Sequence, residues 1–552
     1  MLAFYGCDYE LAYDYICEGL KYNYKNYELY LLLGNYYAQK NINQAYLCYE
    51  NAEYYCSDEA DLPIIQQKKK IMEHSKDYSV KKTSIVVVTY NTKALNIQCF
   101  NSIRTTNLPS SYELIAVDNA SSDGTAEWLK EQTDIKIICN ESNKGFPYAC
   151  NQGIKASEPD NDILLLNSDT IVLPNSIFWL RMGLYEEEQN GAAGSVSNSA
   201  GNGQAVTEKL NSAQEYLAQG TTLWNIPMRH PYEKKVFLSG FALLIKRTAL
   251  DEIGLLDTRF FPGQSEDLDL GVRLNFAGWK LVLCWNSFIV HYGQGNGENT
   301  DIWNSTCSQN DIRFKQKWNF ELSYYTYPRQ AIIDMMTHPR EAAISVLEAG
   351  CGCGATLARI ERLWPNATVK GIELDAQIAK LGANSIDIIH GNIETMVFPY
   401  EKESFDYIIL ADVLEHLHNP EQVLKSMLPL LKDNGKFLCS LPNIMHQSVI
   451  ARLLQGKFEY ADAGILDRTH IHFFTLDSIN QMLDNCRLRM VNLNASSKEE
   501  SGSDEDQELL NALWQIPHLA DRTLFQVYQF IFSAEKKSLT SRHKFDCWHP
   551  VA

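Results

Sequence analysis

The run ILLLNSDTIVLP, Ile163 to Pro174, begins with enough aliphatic residues for a buried strand and then reaches Asn167, Ser168 and Asp169. A carboxylate ending such a strand is costly to hold without water or a ligand. Other apolar runs close the same way, SIVVVTYN on Thr89, Tyr90 and Asn91, and YELIAVDN on Asp118 and Asn119. Polar side chains gathered at one edge of a buried sheet make a binding crevice. A second constellation lies in VLEAGCGCGATLARI, where Gly350, Gly352 and Gly354 let the backbone approach a nucleotide-type ligand. The following run, ATVKGIELD, carries Glu373 near its end, an acid placed to hold a ribose diol. His416, His470 and His472 add imidazoles able to take a proton near pH 7.

Positioning these groups needs more than one core, and 552 residues is too long for a single domain. Val, Ile and Leu runs alternating with helical stretches predict parallel sheets buried on both faces, with ligands at the strands' carboxyl ends. The overall class is therefore α/β and multidomain. A Tyr-rich helical segment at 1–75 precedes it, and in that segment Ala12, Ile16 and Gly19 recur as Ala45, Tyr49 and Ala52, an offset of 33 residues. QQKKKIMEHSKDYSVKK reads as a charged connector, and SSKEESGSDEDQE as a solvated loop. The expected division is 1–75, 76–330, 331–540 and a tail at 541–552.

A net charge of −19 argues against nucleic acid as a partner. No apolar run is long enough to span a bilayer, and the N-terminus lacks the flanks of a secretory signal. A cytoplasmic address is expected, peripheral to the inner membrane face at most. The fourteen cysteines are scattered and expected to be reduced, and the Cys351 and Cys353 pair lacks a second ligand cluster.

The motifs VVVTYN, VDNASSDGT, NKGFPYACNQGI, LLLNSDT, FLSGFALLIKR, IGLLDTRFF, EDLDLGVRLNFAGWK and VHYG, between about residues 83 and 325, resemble family 2 glycosyltransferases of GT-A fold, especially the rhamnosyltransferase-like branch. The resemblance implies that Asp169 and His291 bind Mg²⁺ or Mn²⁺, with Asn167 where the family more often has an acid. It implies a nucleotide-sugar donor, UDP- or dTDP-linked, contacted by Thr89, Asn91, Asp118, Asn167 and Ser168. Asp267 occupies the base position of an inverting displacement, with Glu266 beside it. Taken alone, EDLDLGVRL would be a helix start whose acids favour the macrodipole and whose Arg273 pairs along the helix.

The span from about 340 to 535 resembles class I S-adenosylmethionine-dependent methyltransferases, of the branch carrying GILDRTHIHFFT. This implies a Rossmann-like unit in which Glu348, Gly350, Gly352 and Gly354 surround the methionine portion of S-adenosylmethionine. Glu373 would hold the ribose, Asn392 the adenine, and Asp412 the border of the cofactor. His416, His470 and His472 each have the chemistry of a base for the methyl acceptor, with packing or positioning of the acceptor as the other role for each, and His416 is carried as the catalytic candidate. The N-terminal segment resembles tetratricopeptide repeats, as a helical cap or a docking surface.

Together these resemblances imply a bifunctional enzyme that adds a sugar to a glycan, lipid-linked or flagellin-type acceptor and methylates the product, in bacterial surface polysaccharide assembly or flagellin glycosylation. Two other readings are a glycan-assembly scaffold with one inactive domain, and a methyltransferase acting on protein or an amino group.

Overall fold

Alternation along SIVVVT decides how the first sheet is covered. Ile85 and Val87 enter one core with Leu114, Ala116, Leu164 and Leu166, while Val86 enters a second with Ile115, Ile163 and Leu165. Successive strand side chains point to opposite faces, so both faces are apolar. The computed structural model describes residues 8–206, 209–293, 300–497, 504–516 and 521–537. The chain divides into two units, Met1–Tyr327 and Pro328–Ala552.

In the first unit, β1 (Thr83–Thr89), β2 (Tyr112–Asp118), β3 (Ile135–Cys139) and β4 (Asp162–Asn167) are parallel. They are followed by β5 (Thr170–Val172), β6 (Asn190–Val196), β7 (Tyr232–Lys235), β8 (Ala242–Ile245) and β9 (Lys280–His291). The order is β3-β2-β1-β4-β8-β6-β9-β5, with β7 also paired to β9. Register brings the polar strand ends together: Thr89 lies opposite Asp118, and Val88 opposite Asn167. The short antiparallel pairing of β5 with β9 sets Thr170 opposite His291.

Among the described residues four helices precede β1: α1 (Tyr9–Tyr22), α2 (Tyr27–Tyr37), α3 (Ile42–Tyr55) and α4 (Leu62–Glu73). Asp8, Asn26 and Asn41 cap the first three by accepting backbone N–H groups. Close approach of α2 and α3 depends on Gly34, where a Cβ would stand 2.4 Å from the Tyr49 ring. One face of α3 packs on the buried helix Ser176–Leu184: Gln44 Nε2 donates to the Met182 carbonyl at 3.0 Å, and Arg181 pairs with Glu50. The expected connector is in part helix α4, which buries Ile65 and sends Lys68 to Asn35 and Lys69 to Glu53. Apolar spacing there was masked by the lysine run, whose stems cover the neighbouring helices.

The second unit contains β10 (Ser345–Ala349), β11 (Thr368–Glu373), β12 (Ile388–His390), β13 (Phe405–Ala411), β14 (Leu431–Pro442), β15 (Leu488–Ser496) and β16 (Gln529–Lys536). Their order is β12-β11-β10-β13-β14-β16-β15; the first five are parallel and β16 is antiparallel to both neighbours. Leu347 and Ala349 enter one core and Val346 the other. The acidic run expected as a loop is corrected in its second half, where Asp504–Leu513 forms a helix. Residues 498–503 and the tail RHKFDCWHPVA lie outside the described residues. Both units are α/β, and among the described residues no helix is long and apolar enough to cross a membrane.

Candidate active sites

At the carboxyl edge of the first sheet, buried Thr89 donates from Oγ1 to Asp118 Oδ1 at 3.3 Å. The other Asp118 oxygen accepts the Ser121 N–H at 3.1 Å. Asn91 has φ of 52°, and its side chain accepts the Ser122 N–H at 2.8 Å, which locks the loops after β1 and β2 to each other. Ser168 Oγ lies 3.2 Å from Thr92 Oγ1. Thr89, Asn91, Asp118, Asn167 and Ser168 therefore occupy one edge, as register requires.

Asp169 and His291 meet at that edge. His291 Nε2 is 3.3 Å from Asp169 Oδ1 and 3.3 Å from Asn167 Nδ2. The opposite nitrogen, Nδ1, is 2.6 Å from the Ser199 carbonyl, which can only accept, so the Nδ1 hydrogen is fixed there and, when the ring is neutral, Nε2 turns its lone pair toward Asp169 and Asn167. Asn198 holds the His291 backbone through both its N–H and its carbonyl, at 2.9 and 2.8 Å. Burial pulls the His291 pKa down, but the hydrogen bond and charge of Asp169 outweigh it and the net shift is upward.

The pair fits a divalent cation. Adjacent oxygen or nitrogen ligands about 2.1 Å from a common ion stand roughly 3 Å apart, and rotating the Asn167 carboxamide presents an oxygen to the same point.

The helix Glu266–Phe276 presents its first turn near the Gly240 backbone. Asp267 is half-buried; its Oδ2 accepts the Gly240 N–H at 3.0 Å and its Oδ1 the Leu268 N–H at 2.8 Å. Glu266 is buried, and its Oε2 accepts no hydrogen bond among the described residues. Burial raises both carboxyl groups above their ordinary values, and the Asp267 charge raises Glu266 further. Asp269 differs: it is neutralised by Arg273 at 2.9 Å, Lys317 at 2.5 Å and the Trp318 ring N–H at 2.9 Å. The ordinary helix-start account thus describes Asp269 but, among the described residues, gives Glu266 and Asp267 no cation. Gln264 and Ser265, with φ of 81° and 69°, turn the chain sharply into this helix, and nothing in the sequence signalled two left-handed non-glycine residues there.

In the second unit the glycine-rich turn is tied to the acid on the next strand. Gly352 N donates to Glu373 Oε2 at 2.8 Å, and Asp375 N to Oε1 at 2.9 Å. Gly350, Gly352 and Gly354 all have left-handed φ, at 72°, 55° and 80°. Glu348 is buried at the end of β10 with Oε2 unpaired among the described residues; burial pushes its pKa up to about 8, although Thr356 and Arg329 oppose this. Asn392 follows β12, is exposed, and caps the Glu394 N–H at 2.9 Å.

Asp412 follows β13 with φ of 56° and receives Ser440 Oγ at 2.6 Å, Gln529 Nε2 and Arg329 Nη1, the last at 3.1 Å. Sequence reasoning found Asp412 but not these three partners, which lie outside any motif. His416 is half-buried; burial, then the neighbouring His470, pushes its pKa down, so its imidazole is neutral at pH 7. His472 instead approaches the His418 carbonyl, at 3.3 Å.

Residues 84–254 match the family model described as glycosyl transferase family 2, and residues 323–493 match one described as a methyltransferase domain. An N-acetylglucosaminyl-diphospho-decaprenol L-rhamnosyltransferase of Mycobacterium tuberculosis is 28% identical over 207 residues, 32% of this chain and 66% of that protein. Glycosyltransferase AglE of Haloferax volcanii is 25% identical over 224 residues, 39% of this chain and 68% of its own. A demethylmenaquinone methyltransferase of Shouchella clausii is 30% identical over 108 residues, 18% of this chain and 45% of its own. The chain thus spans just under two thirds of the rhamnosyltransferase and less than half of the methyltransferase.

Proposed function

We propose that this chain, which carries a glycosyl transferase family 2 domain followed by a methyltransferase domain, is a bifunctional enzyme that transfers a sugar from a UDP- or dTDP-sugar and methylates a glycan acceptor. The supporting observation is that each unit brings its own set of acids to the carboxyl edge of its own sheet: Asp118, Asp169 and Asp267 in one, Glu348, Glu373 and Asp412 in the other.

In sugar transfer, Asp118 and Thr89 bind the donor's base, with Asn91 beside the ribose. Asp169 and His291, with Asn167, hold Mn²⁺ or Mg²⁺, which supplies positive charge to the departing diphosphate. Asp267 takes the acceptor hydroxyl's proton. Its raised carboxyl is a stronger base than an ordinary aspartate, and two backbone N–H groups fix its direction. Direct displacement inverts the anomeric centre, with Glu266 against the acceptor or donor sugar.

In methyl transfer, the Gly350–Gly354 turn and Glu348 enclose the methionine end of S-adenosylmethionine, which supplies the methyl group. Glu373 receives the ribose, Asn392 the adenine, and Asp412 closes the edge. The acceptor gives up its proton at the face carrying His416. The acceptor class we favour is a lipid-linked or flagellin-type glycan in bacterial surface assembly, reached from the cytoplasmic face.

Intact-mass analysis with nucleotide sugars, Mn²⁺ and S-adenosylmethionine tests both halves. Asp267→Ala should abolish sugar transfer and leave methylation, and Gly352→Arg should do the reverse. Loss of both activities in either variant, or turnover of neither cofactor by the parent chain, defeats the bifunctional reading.

A further inference from the structure

The turn after β13 and the loop containing RTHIHFF meet at Glu415, His416 and His470. One ligand-capable atom of each lies within 4.8 Å of the others. The two imidazole rings are 4.8 Å apart and inclined at 70°. The contact is built by backbone pairing, since the Glu415 carbonyl accepts the N–H groups of Ile471 and His472 at 3.0 and 3.1 Å.

Both imidazoles are oriented alike. His416 Nδ1 is 3.2 Å from the Thr469 carbonyl, and His470 Nδ1 is 2.9 Å from the Ile465 carbonyl. A carbonyl only accepts, so Nδ1 carries the hydrogen in each ring and Nε2 keeps its lone pair. Histidines that ligate metals are held in this manner, with the remote nitrogen bonded to a backbone carbonyl or carboxylate. Glu415 completes the set: it is 1% exposed, and its Oε2 accepts no hydrogen bond among the described residues. An unmet buried carboxylate oxygen is expensive, and a cation would satisfy it. Asp412, three residues earlier, already receives Ser440, Gln529 and Arg329 and is not needed as a ligand.

We propose that Glu415, His416 and His470 bind a divalent transition-metal ion, whose open positions take a hydroxyl of the methyl acceptor. Two imidazoles and one carboxylate suit Zn²⁺, Mn²⁺, Fe²⁺ or Co²⁺ rather than Mg²⁺, and three protein ligands leave room for substrate. The cation site stands on geometry alone, whereas the hydroxyl's placement rests on the methyltransferase reading. There the ion lowers the hydroxyl's pKa, so that its proton passes to water. The oxygen then forms the new O–CH₃ bond as the S–CH₃ bond breaks, and the sulfonium leaves as a neutral thioether. His416 would serve as ligand, not as the free base.

The test uses the full chain, stripped with chelator and titrated with Co²⁺, whose visible absorption reports nitrogen ligation. An Asp169→Ala background removes the cation proposed for the first unit. In that background one equivalent of Co²⁺ should bind, and Glu415→Gln, His416→Asn and His470→Gln should each weaken it by at least about 10-fold. S-adenosylmethionine calorimetry on the same variants shows that the second unit remains folded. Absence of Co²⁺ binding, or binding unchanged by all three substitutions, overturns the site while leaving the methyltransferase reading intact if S-adenosylmethionine still binds. Ligand-dependent Co²⁺ binding without any S-adenosylmethionine uptake supports the site and overturns its use in methylation.

Discussion

His291 Nε2 stands 3.3 Å from Asp169 Oδ1 because β9 returns antiparallel beside β5 and ends opposite Thr170. Two opposite pH dependences follow. Without a cation, His291 has a pKa raised above its ordinary value of 6.5: burial opposes the shift, but Asp169 wins. Its contribution to stability is therefore full below about 6.5 and disappears as pH rises through the folded value. Cation binding requires the neutral imidazole, so Mn²⁺ affinity should increase over the same interval. Calorimetry across pH 5.5–8 should show that rise in the parent chain, and a weaker, flatter response in His291→Ala; the window reaches from about one unit below a histidine's usual pKa to about 1.5 units above it, because the His291 value is raised.

Glu266 and Asp267 titrate as a pair, both displaced upward by burial, with Asp267 adding charge repulsion to Glu266. Asp267→Asn should lower the rate of sugar transfer by on the order of 10²-fold or more while donor binding persists, as expected for loss of a general base. Because Asp267 ionises first and its charge then holds the proton on Glu266, Glu266→Gln mimics that neutral side chain, and the acid limb of the kcat/KM profile set by Asp267 should stay in place. A limb that moves to lower pH would show that Glu266 is already charged where Asp267 titrates.

Strand ends and glycine-rich turns were legible because register follows from continuous apolar runs. Once SIVVVT, ELIAV and ILLL pair in parallel, Thr89, Asp118 and Asn167 must share an edge. What sets the ionisation of these groups was not legible. Asn198 and Ser199 orient His291, Lys317 and Trp318 neutralise Asp269, and Arg329 reaches Asp412. These partners are separated from their targets by tens of residues and belong to no periodic pattern. The helix α4 was hidden for a different reason: its single fully buried residue, Ile65, gives too narrow an apolar stripe to compete with the lysines around it.

Gly350 tests the glycine turn through stability as well as binding. Its φ is 72°, and an added Cβ would stand 2.6 Å from Val413 Cγ2. Gly350→Ala should cost about 1–2 kcal/mol from the left-handed backbone alone, with more from displacement of Val413. Thermal melting should show the lower stability, and calorimetry a weaker S-adenosylmethionine affinity. An alanine variant that melts and binds like the parent would remove this turn from the cofactor site.

Glu348 offers the last test. Burial raises its carboxyl from 4.5 to about 8, so the folded second unit retains a proton that the unfolded chain releases at lower pH. The sign is that of a raised acid: stability is highest below about 4.5 and is lost progressively up to about 8. Glu348→Gln keeps the size and the capacity to accept from Thr356 but cannot ionise. In the absence of S-adenosylmethionine the variant should therefore melt higher than the parent above pH 8, by several degrees, since about 1 kcal/mol moves Tm by roughly 2–4 °C in a unit of this size. The difference should shrink as pH falls and vanish below about pH 4, where Glu348 is protonated in the folded and the unfolded chain alike. If the two melting curves stay parallel from pH 5 to 9, Glu348 is ionised throughout and another group must satisfy its buried Oε2.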